Sequence, residues 1–261
     1  MIEIGFIILG ILTGILSGLF GIGGGILIVP SLLLFFGMNI LDANAISLSA
    51  MILPVGILGL ISYYKAGMIV IKDSLLIALG LFIGSFIGGE LAVNINEVFL
   101  TKLYVGILFY IAILYLEIPS LFKKKKESKP EEELKQVKKA FWVYMIIGMG
   151  AGIFAGLFGK GGGIVIVPIL VAVLHYSPKA AAATSLAALQ LPVGLPSIVI
   201  YAQNGHLNIM YAVFIATGIV LGTFWGTKLG LKLPPAIFKK IFAFFLIAVD
   251  IFMLLKTSSP M

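Results

Sequence analysis

Residues 18–30 read GLFGIGGGILIVP and residues 156–168 read GLFGKGGGIVIVP. Eleven of the thirteen positions are identical at a spacing of 138, the exceptions being Ile22 against Lys160 and Leu27 against Val165. Five of the first eight residues of each copy are glycine. Each glycine inside a helix costs about 1 kcal/mol relative to alanine, so an uninterrupted helix through either copy is untenable. The flanking residues are nonetheless strongly apolar. The stretch therefore predicts a helix that stops and restarts, twice, at equivalent places.

The setting is a membrane. The chain of 261 residues is 61% hydrophobic and 11% charged, against roughly 45–50% and 25% for soluble domains. The apolar residues lie in runs of the length that spans a bilayer core, and the short alternating segments of a β-barrel are missing. The expected fold is all-α, a polytopic helical membrane protein of about eight to ten hydrophobic segments. Cysteine is absent, which removes disulfides and thiolate metal sites. The net charge of +7 comes from lysines gathered near one loop, a pattern of membrane topology rather than of nucleic-acid binding. Residues 1–6 carry no basic cluster, so the first segment reads as a permanent span.

Residues 4–37 are apolar apart from the break. As one straight helix they would be about 50 Å long, too long for a hydrocarbon core of about 30 Å, so a helix, a break and a shorter helix are expected. Further spans are expected over 45–62, 73–93 and 98–118, followed by the charged stretch LFKKKKESKPEEELKQVKK at 121–139. From Ala140 the pattern restarts without a gap. Pro30, Ser47, Pro54-Val55-Gly56, Tyr63, Gly67, Gly84 and Gly88 recur as Pro168, Ser185, Pro192-Val193-Gly194, Tyr201, Gly205, Gly222 and Gly226. The organisation read from this duplication is a first membrane repeat over 1–118, a charged linker over 119–139 and a second membrane repeat over 140–261.

Lysine placement orients the halves. With the 119–139 loop cytoplasmic, the loop carrying Lys65 and Lys72 is cytoplasmic and that near Glu90 and Glu97 external. If segment 141–175 enters and returns, Lys179, Lys228, Lys232, Lys239 and Lys240 are cytoplasmic and the lysine-free turn Asn204–Asn208 is external. A single crossing would place all these lysines outside. The economical reading is two inverted repeats in the cell membrane.

At a helix break, backbone groups lose their partners, which is tolerated only inside protein or at a wet cavity. The helix restarting after each break offers free N–H groups and a positive dipole end, which suit an anion. Gly21, Gly23, Gly24 and Gly25, with Gly159, Gly161, Gly162 and Gly163, are the candidate substrate-binding backbone. Lys160 lies where repeat 1 has an isoleucine, and a lysine in a membrane segment needs a partner or water. An anionic substrate, a distant acid (Asp250 or Glu90) or snorkelling to the interface would each serve. Ser47, Ser49, Thr184, Ser185 and Gln190 could line a path facing the breaks, or simply hydrogen-bond between helices. Pro54, Gly56, Pro192 and Gly194 weaken their helices and are candidate gating positions. Asp250 is the candidate proton-coupling acid. Glycines four apart (Gly10, Gly14 and Gly18; Gly80, Gly84 and Gly88; Gly148, Gly152 and Gly156; Gly218, Gly222 and Gly226) read as helix-packing faces. His175 and His206 read as surface residues of turns. No metal-ligand spacing, HExxH or Ser–His–Asp arrangement occurs, and Gly21-Ile22-Gly23 lacks the strand–helix context of a dinucleotide site, so neither cofactor nor enzymatic activity is expected.

The duplicated GLFGxGGGxxxVP, the following AISLSA and ATSLAA, and the paired Pro-Val-Gly resemble the TauE/SafE sulfite exporter family (TSUP) over nearly the whole chain. The resemblance implies a permease of two homologous halves whose substrates are small sulfur-containing anions and organic acids such as sulfite, sulfoacetate and thiosulfate. The expected partners are the lipid bilayer, a small anionic substrate and a coupling proton or ion, with no nucleic acid. Substrate, direction and oligomeric state stay open at this point, as do the alternatives of an anion channel and a carrier of another small solute or cation.

Inverted repeats make a direct prediction. Single cysteines placed at Gly67 and Gly205 will react with an impermeant thiol reagent from opposite faces of the membrane; labelling of both from one face would exclude inversion.

Overall fold

In a computed structural model of the chain, the described residues are 2–20, 25–52, 60–61, 64–65, 67, 69–115, 140–159, 162–176 and 178–230. They form helices and connecting turns, with no strand among them. In chain order the helices are α1 (Ile2–Phe20), α2 (Gly25–Phe35), α3 (Ile40–Ala50), α4 (Ile71–Asn94), α5 (Glu97–Tyr115), α6 (Phe141–Phe158), α7 (Gly163–Leu174), α8 (Pro178–Leu189), α9 (Leu195–Gln203) and α10 (Ile209–Gly230). α4 and α6 are each long and apolar enough to cross a bilayer. The sequence period reappears in the helix boundaries: α2, α3 and α4 start at 25, 40 and 71, and α7, α8 and α10 start 138 residues later, at 163, 178 and 209. A backbone bond from Met38 N to Leu32 O (3.2 Å) is repeated from Tyr176 N to Leu170 O (3.1 Å).

Local chemistry sets several of these boundaries. Asparagine side chains cap N-termini by accepting from free amides. Asn39 accepts from Asp42 N at 2.8 Å, Asn96 from Val98 N at 2.9 Å and Asn208 from Tyr211 N at 3.2 Å. α6 ends on Gly159 at φ 64, a left-handed conformation that glycine adopts without strain. The expected span over 45–62 is not one helix. α3 stops at Ala50, and the Met51 amide turns back onto the carbonyls of Ser47 and Leu48. In the second half α8 stops at Leu189 and α9 begins at Leu195. Pro-Val-Gly here is a full interruption rather than a weakened helix, because Pro192 has no N–H to give and the neighbouring amides bond within turns instead.

Two seams hold the helices together. Along α4, Gly80, Gly84 and Gly88 lie on the backbone of α6. A Cβ on Gly80 would stand 3.0 Å from Gly148 Cα, one on Gly84 2.9 Å from Ile153 N, and one on Gly88 3.0 Å from Gly156 Cα. Along α1, a Cβ on Gly10 would stand 2.9 Å from Gly218 Cα, and one on Gly222 2.9 Å from Ile15 N. Residue numbers rise together across each seam, so the paired helices run in the same sense. The expectation that glycines four apart are packing faces is met at these positions. The face of α4 turned away from its seam exposes Leu75, Leu79, Phe82 and Phe86, an apolar stripe suited to lipid. One buried core joins Phe6, Ile28, Ile46, Ala92, Tyr104, Phe158, Tyr201 and Ala212, and a second joins Ile77, Leu81, Tyr144, Ile166, Leu170 and Tyr176.

Where backbone meets backbone, an added side chain has nothing flexible to displace. Gly84→Leu will force α4 and α6 apart and lower stability by about 3 kcal/mol or more, read as an early thermal transition in detergent. Gly150→Ala, at a position with nothing within 4 Å of the new Cβ, will leave the transition in place or raise it.

Candidate functional site

The second glycine break is the centre of the site. Where α6 stops, its last carbonyls have no helical partner. Three side chains supply one each. Tyr201 of α9 donates its hydroxyl to Gly156 O at 2.6 Å, Asn44 of α3 donates Nδ2 to Leu157 O at 2.7 Å, and Ser47 of α3 donates Oγ to Gly159 O at 2.7 Å. All three are fully buried. Asn44 also reaches the Tyr201 hydroxyl at 3.5 Å. Gly159 packs so closely that a Cβ there would lie 2.5 Å from Asn44 Cα. Two of the three caps come from the first half of the chain and serve a helix of the second.

The other side of the break is different. α7 restarts at Gly163 with Gly162, which has no side chain, as its N-cap, and among the described residues no side chain caps its amides. Val165 N and Ile166 N both bond to Gly162 O at 3.0 Å. Among the described residues, then, the carbonyl end of the break is satisfied by side chains while the amide end has no side-chain acceptor. Gly162 is also in the wall of a cavity of about 50 Å3, together with Leu48 and Met51 of the α3 end, Leu81 and Ser85 of α4, Ala155 of α6 and the turn residues Leu191–Gly194. That volume is enough for a few water molecules. Pro192 and Gly194 therefore stand in the same cavity as the glycine break.

The expected path-lining residues divide. Ser47 spends its hydroxyl on Gly159 O, the helix-to-helix bond that sequence left as an alternative. Thr184 is fully buried with its Oγ1 unpaired among the described residues; Ser49 and Gln190 are half-buried, but Ser49 Oγ and Gln190 Oε1 are likewise buried atoms without a partner among the described residues. Gln190 Nε2 bonds weakly to Leu186 O at 3.5 Å. Ser185 is buried. Ser74 of α4 donates to the Thr184 carbonyl at 3.1 Å, tying α8 to α4. Gly25 opens α2 and Gly163 opens α7, while Glu90 is exposed near the end of α4. Gly21, Gly23, Gly24, Lys160, Gly161, Pro54, Gly56, Asp250 and the 119–139 loop lie outside the described residues. Among the described residues no group of three or more His, Asp and Glu side chains is placed to hold a metal ion.

Sequence reasoning passed over two contacts. Ser85 and Ser197 meet at 2.9 Å between their hydroxyls, beside the cavity. The available signal was the offset of 138, which pairs Ser85 with Thr223, a hydroxyl in each half. His206 does lie in a turn, as expected, but its Nδ1 is 2.8 Å from Asp42 Oδ1, a partner 164 residues away that no local pattern announces.

Removing a cap strands a buried carbonyl, which costs about 1–3 kcal/mol. Ser47→Ala and Asn44→Ala will each lose that much in thermal or denaturant stability in detergent. Gly159→Ala will lose more than either, since it combines a positive φ with a backbone clash.

The chain matches the model of the family described as "Sulfite exporter TauE/SafE" over residues 6–253. It is 32% identical over 262 residues to a protein of Methanocaldococcus jannaschii named a probable membrane transporter protein, covering 95% of this chain and 94% of that one. A Haemophilus influenzae protein of the same name is 30% identical over 266 residues, covering 96% and 97%. One from Bacillus subtilis is 28% identical over 228 residues, covering 87% and 90%. No solved structure matches the chain. With a family match running through both glycine stretches and relatives aligned nearly end to end, the chain belongs to the TauE/SafE sulfite exporter family of membrane transporters.

Proposed function

We propose that this transporter carries a small anion, a sulfur-containing oxyanion or organosulfonate such as sulfite, by alternating access between two inverted halves in the cell membrane, with the 119–139 loop cytoplasmic. The observation that carries the anion reading is the chemical asymmetry of the second break. Asn44, Ser47 and Tyr201 occupy its carbonyls, and the groups without a side-chain partner among the described residues are the donors at the start of α7, beside the cavity-lining Gly162. Donors at a helix start favour negative charge; a cation would need those carbonyls free. Lys160, one residue into the break, adds positive charge in this reading. The unpaired polar atoms of Ser49, Thr184 and Gln190 are the further groups that a hydrated anion would meet, since buried polar atoms in native proteins nearly always have a partner.

The inverted arrangement has support in the packing. α1 runs with α10 and α4 runs with α6. One core joins Ala92 and Phe158, at the ends of α4 and α6, with Phe6 and Ala212, at the starts of α1 and α10. A core of this kind is what opposed seams, and an opposed α1 and α6, would give. Each seam joins one helix from each half, so the two seams form a frame against which the remaining helices can move.

Purified protein in a thermal-shift screen will be stabilised by sulfite or a sulfonate. Ligand at 100 times its Kd adds about 2.7 kcal/mol. A response to divalent cations alone would overturn the anion reading. In proteoliposomes, Lys160→Ala will reduce sulfite flux about tenfold, the effect of losing roughly 1.4 kcal/mol of binding; unchanged flux and affinity would remove Lys160 from the site.

A further inference from the structure

We propose that the Ser85–Ser197 contact is the moving seal of the transport cycle: α9 parts from α4 at this pair to open the cavity beside the second glycine break, and closes on it again. The inference rests on the alternating-access reading above and adds the contact that must break. Ser197 Oγ donates to the Ser85 carbonyl at 2.5 Å. That leaves Ser85 Oγ as the donor in the 2.9 Å contact between the hydroxyls, and the Ser197 amide approaches it at 3.4 Å. Both serines are buried and Ser85 is in the cavity wall.

The two sides of this contact differ in how they are held. α4 is fixed to α6 by backbone contacts at Gly80, Gly84 and Gly88, which have no alternative partner. α9 is fixed at its far end, where Tyr201 bonds to Gly156 O, His206 N bonds to Tyr201 O at 2.9 Å, and His206 pairs with Asp42. Its near end follows Gln190–Gly194, where helical bonding lapses into turn bonds from Val193 N to Leu191 O (2.6 Å) and Leu195 N to Pro192 O (3.1 Å). An interruption on one side and an anchor on the other leave the Ser197 end as the part of α9 free to swing. α9 also lies on α4 at Gly89, where a Cβ would stand 2.9 Å from Ser197 Cα, but the α4–α6 seam repeats such a contact at Gly80, Gly84 and Gly88. Hydroxyl bonds exchange for water at small net cost, so a contact of two serines and one glycine opens more easily than that seam. The duplication does not explain the pair, because the equivalent positions are Thr223 and Gly59.

The chain has no cysteine, so S85C/S197C carries only the two thiols in question. Sulfoacetate is the flux probe, because sulfite itself cleaves disulfides. After oxidation, with the disulfide confirmed by mass spectrometry, flux in proteoliposomes will fall at least tenfold and return on reduction, while S85C and S197C alone ignore the oxidant. A contact that stays closed throughout transport would tolerate the bond, so full flux in the oxidised protein overturns the proposal. If even the unsubstituted protein moves no sulfoacetate, that substrate fails and the seal is judged without it. Amide hydrogen exchange over residues 193–203 will be at least tenfold slower in the oxidised than in the reduced double variant, and equal exchange overturns the proposal. Ser85→Ala adds no bulk; it will speed exchange in α9 several-fold with α1 unchanged, and unaltered exchange in α9 counts against the seal.

Discussion

A helix that stops inside a membrane must hand its last carbonyls to something, and here two of three go to the other half of the protein. Asn44 and Ser47 on α3 bond to the carbonyls that end α6. That exchange makes each half incomplete alone and brings the end of α3, the glycine break and the Pro-Val-Gly turn around one cavity. In the proposed site it also sorts the break by charge: among the described residues the acceptors are occupied and donors remain. The polarity proposed for the site follows from which orphan groups the fold satisfies.

The glycine seams solve a different problem. Apolar helices in lipid gain nothing from burying apolar surface, so close packing has to hold them. Removing Cβ at every fourth residue lets α4 meet α6, and α1 meet α10, backbone to backbone. Such contacts resist sliding. Against them, α9 is short, begins after an interrupted stretch and meets α4 at one glycine, Gly89, and through the serine hydroxyls. In the proposed cycle the repeated backbone seams are the frame and this smaller contact is the moving part.

Much of this was legible in the residues. The offset of 138 anticipates where α7, α8 and α10 begin, because duplicated sequence carries duplicated caps, breaks and turns. Glycine spacing separated packing faces, at steps of four, from the break, at steps of one and two. The span expected over 45–62 is not one helix, because hydropathy registers a continuous apolar run whether or not the backbone stays helical, and α3 stops at Ala50. The roles of Ser47 and Ser85 were hidden for another reason. A serine in an apolar segment looks the same whether its hydroxyl faces a substrate path, a neighbouring carbonyl or another serine.

The class, the duplication and the places where helices cannot continue can be read from the residues, since they depend on apolar run length, repeat spacing and the backbone properties of glycine and proline. Only folding in three dimensions reveals who completes each interruption: that Asn44, Ser47 and Tyr201 cap the end of α6, that α4 pairs with α6 rather than with its own half's α1, and that Ser85 meets Ser197. Those partners lie 45 to 113 residues apart, and a hydrogen bond carries no trace of its acceptor in the residue that donates it.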